Sequence, residues 1–177
     1  MARPIVSFDV ESSGPVPGLG DLISFGAVFV EPGLERRHYS GIVSPKCEIY
    51  DPKTYELLGM TRYDHKRAVI HPTTAAINLI RWLRACEPNV DRFIMLSDNP
   101  GFDFAWINYT LAHSGVTEWK VFGHSARRIG DAYAGLKKDS RSTQGWKKLR
   151  QTAHTHHPVD DAVGNAEAWL EMWRKLG

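Results

Sequence analysis

Three places in this chain carry residue types able to do chemistry. The first is Phe8-Asp9-Val10-Glu11, which follows the short β-branched stretch Pro4-Ile5-Val6-Ser7. Ser12-Ser13-Gly14-Pro15-Val16-Pro17-Gly18 comes next, and its prolines and glycines stop a strand. Two carboxylates two residues apart on a strand share one side of it. Like charges held beside an apolar core repel each other and are poorly solvated, so a positive group belongs between them. A hard divalent cation such as Mg²⁺, which takes oxygen ligands, fits that need. The competing reading points one carboxylate at solvent and uses the other to cap a turn. The second place is Asp103, in the first turn of a helix, where a negative charge also simply complements the helix dipole. The third is His154-Thr155-His156-His157-Pro158-Val159-Asp160-Asp161, at the start of the closing helix. It reads as a site, as an exposed loop or as a Zn²⁺ ligand set. Zinc is disfavoured by the lack of a matching Cys pair and by the hard carboxylates elsewhere.

The elements that must position these groups follow from periodicity. Residues 4–9, 21–30 and 36–43 read as strands, the last two as a hairpin across the turn Glu31-Pro32-Gly33-Leu34. Asp51 N-caps a short helix that runs to Gly59 and has Pro52 at its first position. Thr61 to His71 reads as a polar connection, and Ala75 to Ala85 as an amphipathic crossover helix. Arg92 to Ser97 is a fourth strand, continuous in apolar residues and therefore buried on both faces. A helix follows from Phe102 to His113, with a fifth strand at Trp119 to Phe122. Helices at Ser125 to Leu136 and Asp160 to Leu176 complete the chain. The expected fold class is α/β: a mixed five-stranded sheet, its first three strands antiparallel, flanked by helices. Parallel strands need the long crossover that residues 44–91 supply. Strand four then lies beside strand one, which brings Asp103 over the sheet edge that carries Asp9 and Glu11, where open α/β sheets bind ligands.

At 177 residues a single domain, 1–177, is the expectation. Twenty-two basic and 20 acidic side chains leave +2, too little to argue a nucleic-acid partner from net charge. Cys47 and Cys86 form no metal spacing and fit free thiols in a cytoplasmic setting. The start lacks the apolar run of a signal peptide, and no stretch approaches membrane-span length.

Asp9-Val10-Glu11, then Asn99-Pro100-Gly101-Phe102-Asp103, then His156-His157-Pro158-Val159-Asp160-Asp161 resemble the three exonuclease motifs of the DEDD superfamily. The likeness is to its histidine-containing DEDDh branch, which includes ribonuclease T, oligoribonuclease and polymerase proofreading subunits. It spans residues 5 to 170. That family reads Asp-x-Glu, Asn-x-x-Phe-Asp and His-x-x-x-x-Asp, and its spacing selects His156 with Asp161 over His154 or His157. Pro158 beside the histidine, and Pro100-Gly101 after Asn99, depart from the usual pattern.

The resemblance implies a ribonuclease H-like fold and a metal-dependent 3′–5′ exonuclease. Asp9, Glu11, Asp103 and Asp161 would hold two Mg²⁺ or Mn²⁺ ions about 4 Å apart. His156 would act as general base, and single-stranded RNA or DNA would lose nucleoside 5′-monophosphates from its 3′ end. Asn99 would orient a phosphate, or else cap its helix. The basic segment 137–150 would bind the backbone through Lys147 and Lys148, with Trp146 stacking on a base; the alternative is a solvated connector whose Trp packs inward. Ribonuclease T and oligoribonuclease are homodimers, which leaves a homodimer open. The rival function is a non-catalytic nucleic-acid-binding module on the same fold.

Overall fold

The computed structural model describes residues 3–33 and 37–177. Leu34 of the expected turn and Arg36, the first residue of the expected third strand, lie outside them. The strands are β1 (Ile5–Ser12), β2 (Leu22–Phe29), β3 (His38–Ile42), β4 (Ile94–Ser97) and β5 (Ala126–Arg128), in the order β3-β2-β1-β4-β5. β2 pairs antiparallel with both β1 and β3, whereas β1–β4 and β4–β5 are parallel. The helices are α1 (Pro52–Leu57), α2 (Arg62–Lys66), α3 (Pro72–Cys86), α4 (Pro100–His113), α5 (Ile129–Lys137) and α6 (Pro158–Leu176), with a 3₁₀ turn at Gly145–Leu149.

Alternation along β1 sorts the two faces. Val6, Phe8 and Val10 enter the main core with Phe25, Leu79, Leu83, Trp106 and Leu111, beneath α3 and α4. The opposite parity, which includes Asp9 and Glu11, faces α6. There Val28 packs on Ala162 and Ala166, and Leu96 on Trp146, Trp169 and Met172.

Two expectations are corrected. Trp119 to Phe122 is a series of turns, not a strand, although Val121 and Phe122 are buried and the Phe122 ring stands edge-on to Phe8 at 5.2 Å. Burial there comes from plugging the end of the core, which any conformation can do. The fifth strand is Ala126–Arg128, inside the segment expected to be helical, because the open edge of β4 supplies its hydrogen-bond partners. The connection 61–71 also holds more structure than its polarity suggests. Thr61 and Asp64 form a capping box for α2. Fully buried His65 lies 2.6 Å by Nδ1 from the Tyr55 hydroxyl and 2.7 Å by Nε2 from the Val43 carbonyl.

Candidate active site

β1 outruns β4. Their pairing ends at Ser7–Leu96, so the Val10 N–H has no strand partner on that side. Asp103, in the first turn of α4, fills the gap: its Oδ1 accepts from Val10 N at 3.2 Å. The side chain is buried, 3% exposed, and its Oδ2 has no hydrogen-bond partner. A buried carboxylate oxygen left unpaired is costly in any fold and asks for a cation.

α6 delivers the other acid from across the sheet. Gly26 lies opposite Asp9 in the β1–β2 ladder. A Cβ at Gly26 would sit 2.2 Å from the Pro158 carbonyl oxygen and 2.6 Å from Val159 N, so only glycine lets the first turn of α6 rest on the strand backbone. Asp161 is fully buried, and ligand oxygens of Asp9, Glu11 and Asp161 all lie within 4.8 Å of one another. Asp103 stands outside that tight trio but close enough for its charge to act on Asp9.

The protonation behaviour reports the same crowding. Burial, then the charges of Asp103, Asp161, Glu11 and Asp98, push the Asp9 carboxyl up to about 10. Burial and Asp161 raise Glu11 to about 7. Burial raises Asp103 to about 7, while the neighbouring Ser97 hydroxyl and the backbone at Val10 and Asn99 pull it partly back. Desolvated carboxylates that resist ionising together, one with an orphaned oxygen, are a hard-oxygen donor set that fits Mg²⁺ or Mn²⁺.

The histidine loop is strapped to α6. Glu167 accepts from the N–H groups of Gln151 and Thr152 and from the Thr152 hydroxyl. Thr155 Oγ1 donates to Asp160 at 2.9 Å, so Asp160 serves the loop while Asp161 turns into the site. His156 adopts φ +59°, a left-handed conformation rare for a residue with a side chain. Its N–H donates to Asp161 Oδ2 at 3.0 Å, and its Nδ1 lies 3.9 Å from Glu11 Oε1.

Two neighbours of Asp161 escape the motif spacing. Arg150 Nη2 lies 2.7 Å from Asp161 Oδ1, with only 11% of the arginine side chain exposed. That guanidinium fits because α6 has a glycine at Gly164, where a Cβ would strike Arg150 Nε at 2.3 Å. A glycine inside a helix, three residues after a site acid, was the available signal. His154 Nδ1 also stands 2.7 Å from Asp161 Oδ1.

The remaining site residues fare differently. Asn99 is exposed at the start of α4 and its side chain makes no capping hydrogen bond. Lys147 and Lys148 are exposed on the 3₁₀ turn. Trp146 is 2% exposed and belongs to the core beside Trp169, so it offers no face to a base; the inward-packing alternative holds.

No protein-family model matches the chain. Over 176 residues it is 28% identical to Cap18, a 3′–5′ DNA exonuclease of Escherichia coli, covering 97% of this chain and 90% of that protein. The nuclease domain of 3′hExo, a DEDDh family member bound to rAMP, superposes with a TM-score of 0.77 at 17% identity, over 97% of this chain and 92% of that one. Escherichia coli exonuclease I in complex with a dT13 oligonucleotide gives 0.72 at 13% identity; 99% of this chain is covered, but only 41% of the exonuclease I chain. The likeness to these solved structures is one of fold.

Proposed function

We infer that this chain is a DEDDh-type 3′–5′ exonuclease, a single domain over residues 1–177 that removes nucleotides from the 3′ end of single-stranded nucleic acid. The observation that carries the reading is the meeting of Asp9, Glu11 and Asp161 within 4.8 Å, next to the unpaired Oδ2 of Asp103. Two Mg²⁺ or Mn²⁺ ions held by these four residues would supply an activated water and neutralise charge developing on the leaving 3′ oxygen. His156 takes the proton of the attacking water on an imidazole nitrogen. Its strained backbone, pinned by Asp161, fixes the ring beside Glu11. The P–O3′ bond breaks, and a nucleoside 5′-monophosphate leaves. Arg150 holds Asp161 in one rotamer and offsets part of the acidic charge. Asn99 is free to orient a phosphate, and Lys147 and Lys148 meet the strand's backbone.

The test is digestion of matched 5′-labelled DNA and RNA oligomers with Mg²⁺ or Mn²⁺. DNA comes first because Cap18 is a DNA exonuclease. A ladder shortening from the 3′ end, with mononucleotide release that chelator stops, is expected. Metal-dependent binding without any product would leave only a binding module.

A further inference from the structure

The chemistry assigned above uses one of the three histidines in the loop before α6. His154 is left over, yet it is not idle: its Nδ1 lies 2.7 Å from Asp161 Oδ1, and its ring centroid is 4.3 Å from that of His156. Ligand atoms of His154, His156 and Asp161 all fall within 4.8 Å of one another. Two imidazoles and one carboxylate are a different donor set from the all-oxygen trio of Asp9, Glu11 and Asp161. Imidazole nitrogen suits Zn²⁺ and its neighbours in the series, whereas carboxylate and water suit Mg²⁺ and Mn²⁺.

We propose that His154, His156 and Asp161 form a second metal site, selective for Zn²⁺-like cations, that shares Asp161 with the carboxylate centre and switches it off. The ligand atoms start within 4.8 Å of one another and converge on one spacing. Around a tetrahedral zinc with bonds of ~2.0–2.1 Å, neighbouring ligand atoms stand roughly 3.3 Å apart. The His154–Asp161 pair opens by about half an ångström from its 2.7 Å contact. The ion takes the place of the hydrogen between them, and the imidazole proton moves to Nε2, which faces away from the ion. Arg150 keeps its own place on Asp161 Oδ1, and solvent supplies the fourth zinc ligand. Entry is open, because the side chains of His154 and His156 are 56% and 34% exposed. Loop connections through Thr152 and Thr155 hold the two rings on the α6 side of the site, so the set is preformed.

The consequence for activity rests on the hydrolytic reading; the site itself does not. A cation on His156 occupies the nitrogen lone pair that would accept the proton of water. It also draws the Asp161 carboxylate toward the loop and away from Asp9 and Glu11. Occupation of the imidazole site and a working carboxylate centre are therefore mutually exclusive.

Co²⁺, added to the protein before any Mg²⁺, tests the site without turnover, since six-coordinate Co²⁺ on the carboxylates absorbs only weakly. Visible bands of four-coordinate Co²⁺ with nitrogen ligands are expected in the wild-type protein, and their loss in both His154→Ala and His154→Gln. Absence of such bands in the wild type, or their persistence in both variants, overturns the proposal. Zn²⁺ inhibition of oligomer digestion, scaled to each variant's own zinc-free rate, gives the functional arm. Half-inhibition should need at least about tenfold more Zn²⁺ in His154→Ala. Equal inhibition of both proteins places the inhibitory ion on the carboxylates and also overturns it. If no oligomer is digested, the Co²⁺ spectra still decide the site while the exonuclease reading fails separately.

Discussion

Gly26→Ala adds one methyl group at the point where α6 rests on the sheet. The added carbon would lie 2.2 Å from the Pro158 carbonyl oxygen, and ordinary contact begins at 3.4 Å, so the two backbones must part by about 1.2 Å. No side chain can yield, because all three nearest atoms are backbone. Overpacking of this kind costs about 1–3 kcal/mol. The larger effect falls on the site. Gly26 is paired with Asp9, and Pro158 is three residues before Asp161, so the displacement enters the distance between two ligands. Metal sites tolerate about 0.2 Å. Mn²⁺ affinity should fall at least about tenfold, roughly 1.4 kcal/mol. The hydrolytic rate should fall about a hundredfold, the usual effect of misplacing reacting groups by about 1 Å. Urea denaturation of the metal-free protein measures the first quantity, and calorimetric titration with Mn²⁺ the second. A Gly26→Ala protein that is less stable but binds Mn²⁺ like the wild type would refute the reasoning, because the helix standoff would then not set the ligand distance.

His156→Ala should slow hydrolysis by about 10²–10⁴ while Mn²⁺ affinity stays within about threefold, read by single-turnover kinetics and calorimetry; an unchanged rate would move the base elsewhere. Asp9, Glu11 and Asp103 bind protons more tightly folded than unfolded, with pKa values of about 10, 7 and 7 against ordinary values of 3.8, 4.5 and 3.8. Their contribution to metal-free stability is therefore present below about pH 4 and lost as pH rises through 7 and toward 10. The melting temperature without metal should fall across that window, the increment from Mn²⁺ should grow with pH, and a pH-independent increment would contradict the charge crowding. Asp9→Asn should abolish hydrolysis yet raise metal-free stability at pH 7, by no more than about 4 kcal/mol for the gap between pH 7 and the ordinary value of 3.8. Replacing Lys147 and Lys148 together by Gln should raise KM and flatten its dependence on salt by about two phosphate contacts; an unaltered slope would remove them from the strand path.

The carboxylates were readable in the sequence because each is tied to a boundary that local chemistry announces. Asp9 and Glu11 precede a Pro/Gly loop, Asp103 follows a helix start, and Asp161 opens a Pro-initiated helix. The parallel placement of β4 beside β1 followed from the length of the crossover. What stayed hidden depends on groups distant in sequence. β5 is three residues, Ala126–Arg128, with no apolar alternation, and exists because β4 offers an edge. Trp146 sits among basic residues, so its environment is polar in sequence and apolar in space. Arg150 looked like one cation among several, and only the gap at Gly164 turns it toward Asp161. His65 gave no periodic signal, because its partners Tyr55 and Val43 come from other elements.

The seating of α6 on β2 has a consequence for synthesis. Every strand among the described residues precedes residue 129, while His156 and Asp161 are translated later. A nascent chain that has already formed its sheet still lacks His156 and Asp161. The carboxylate trio therefore closes only after the last helix has left the ribosome and docked.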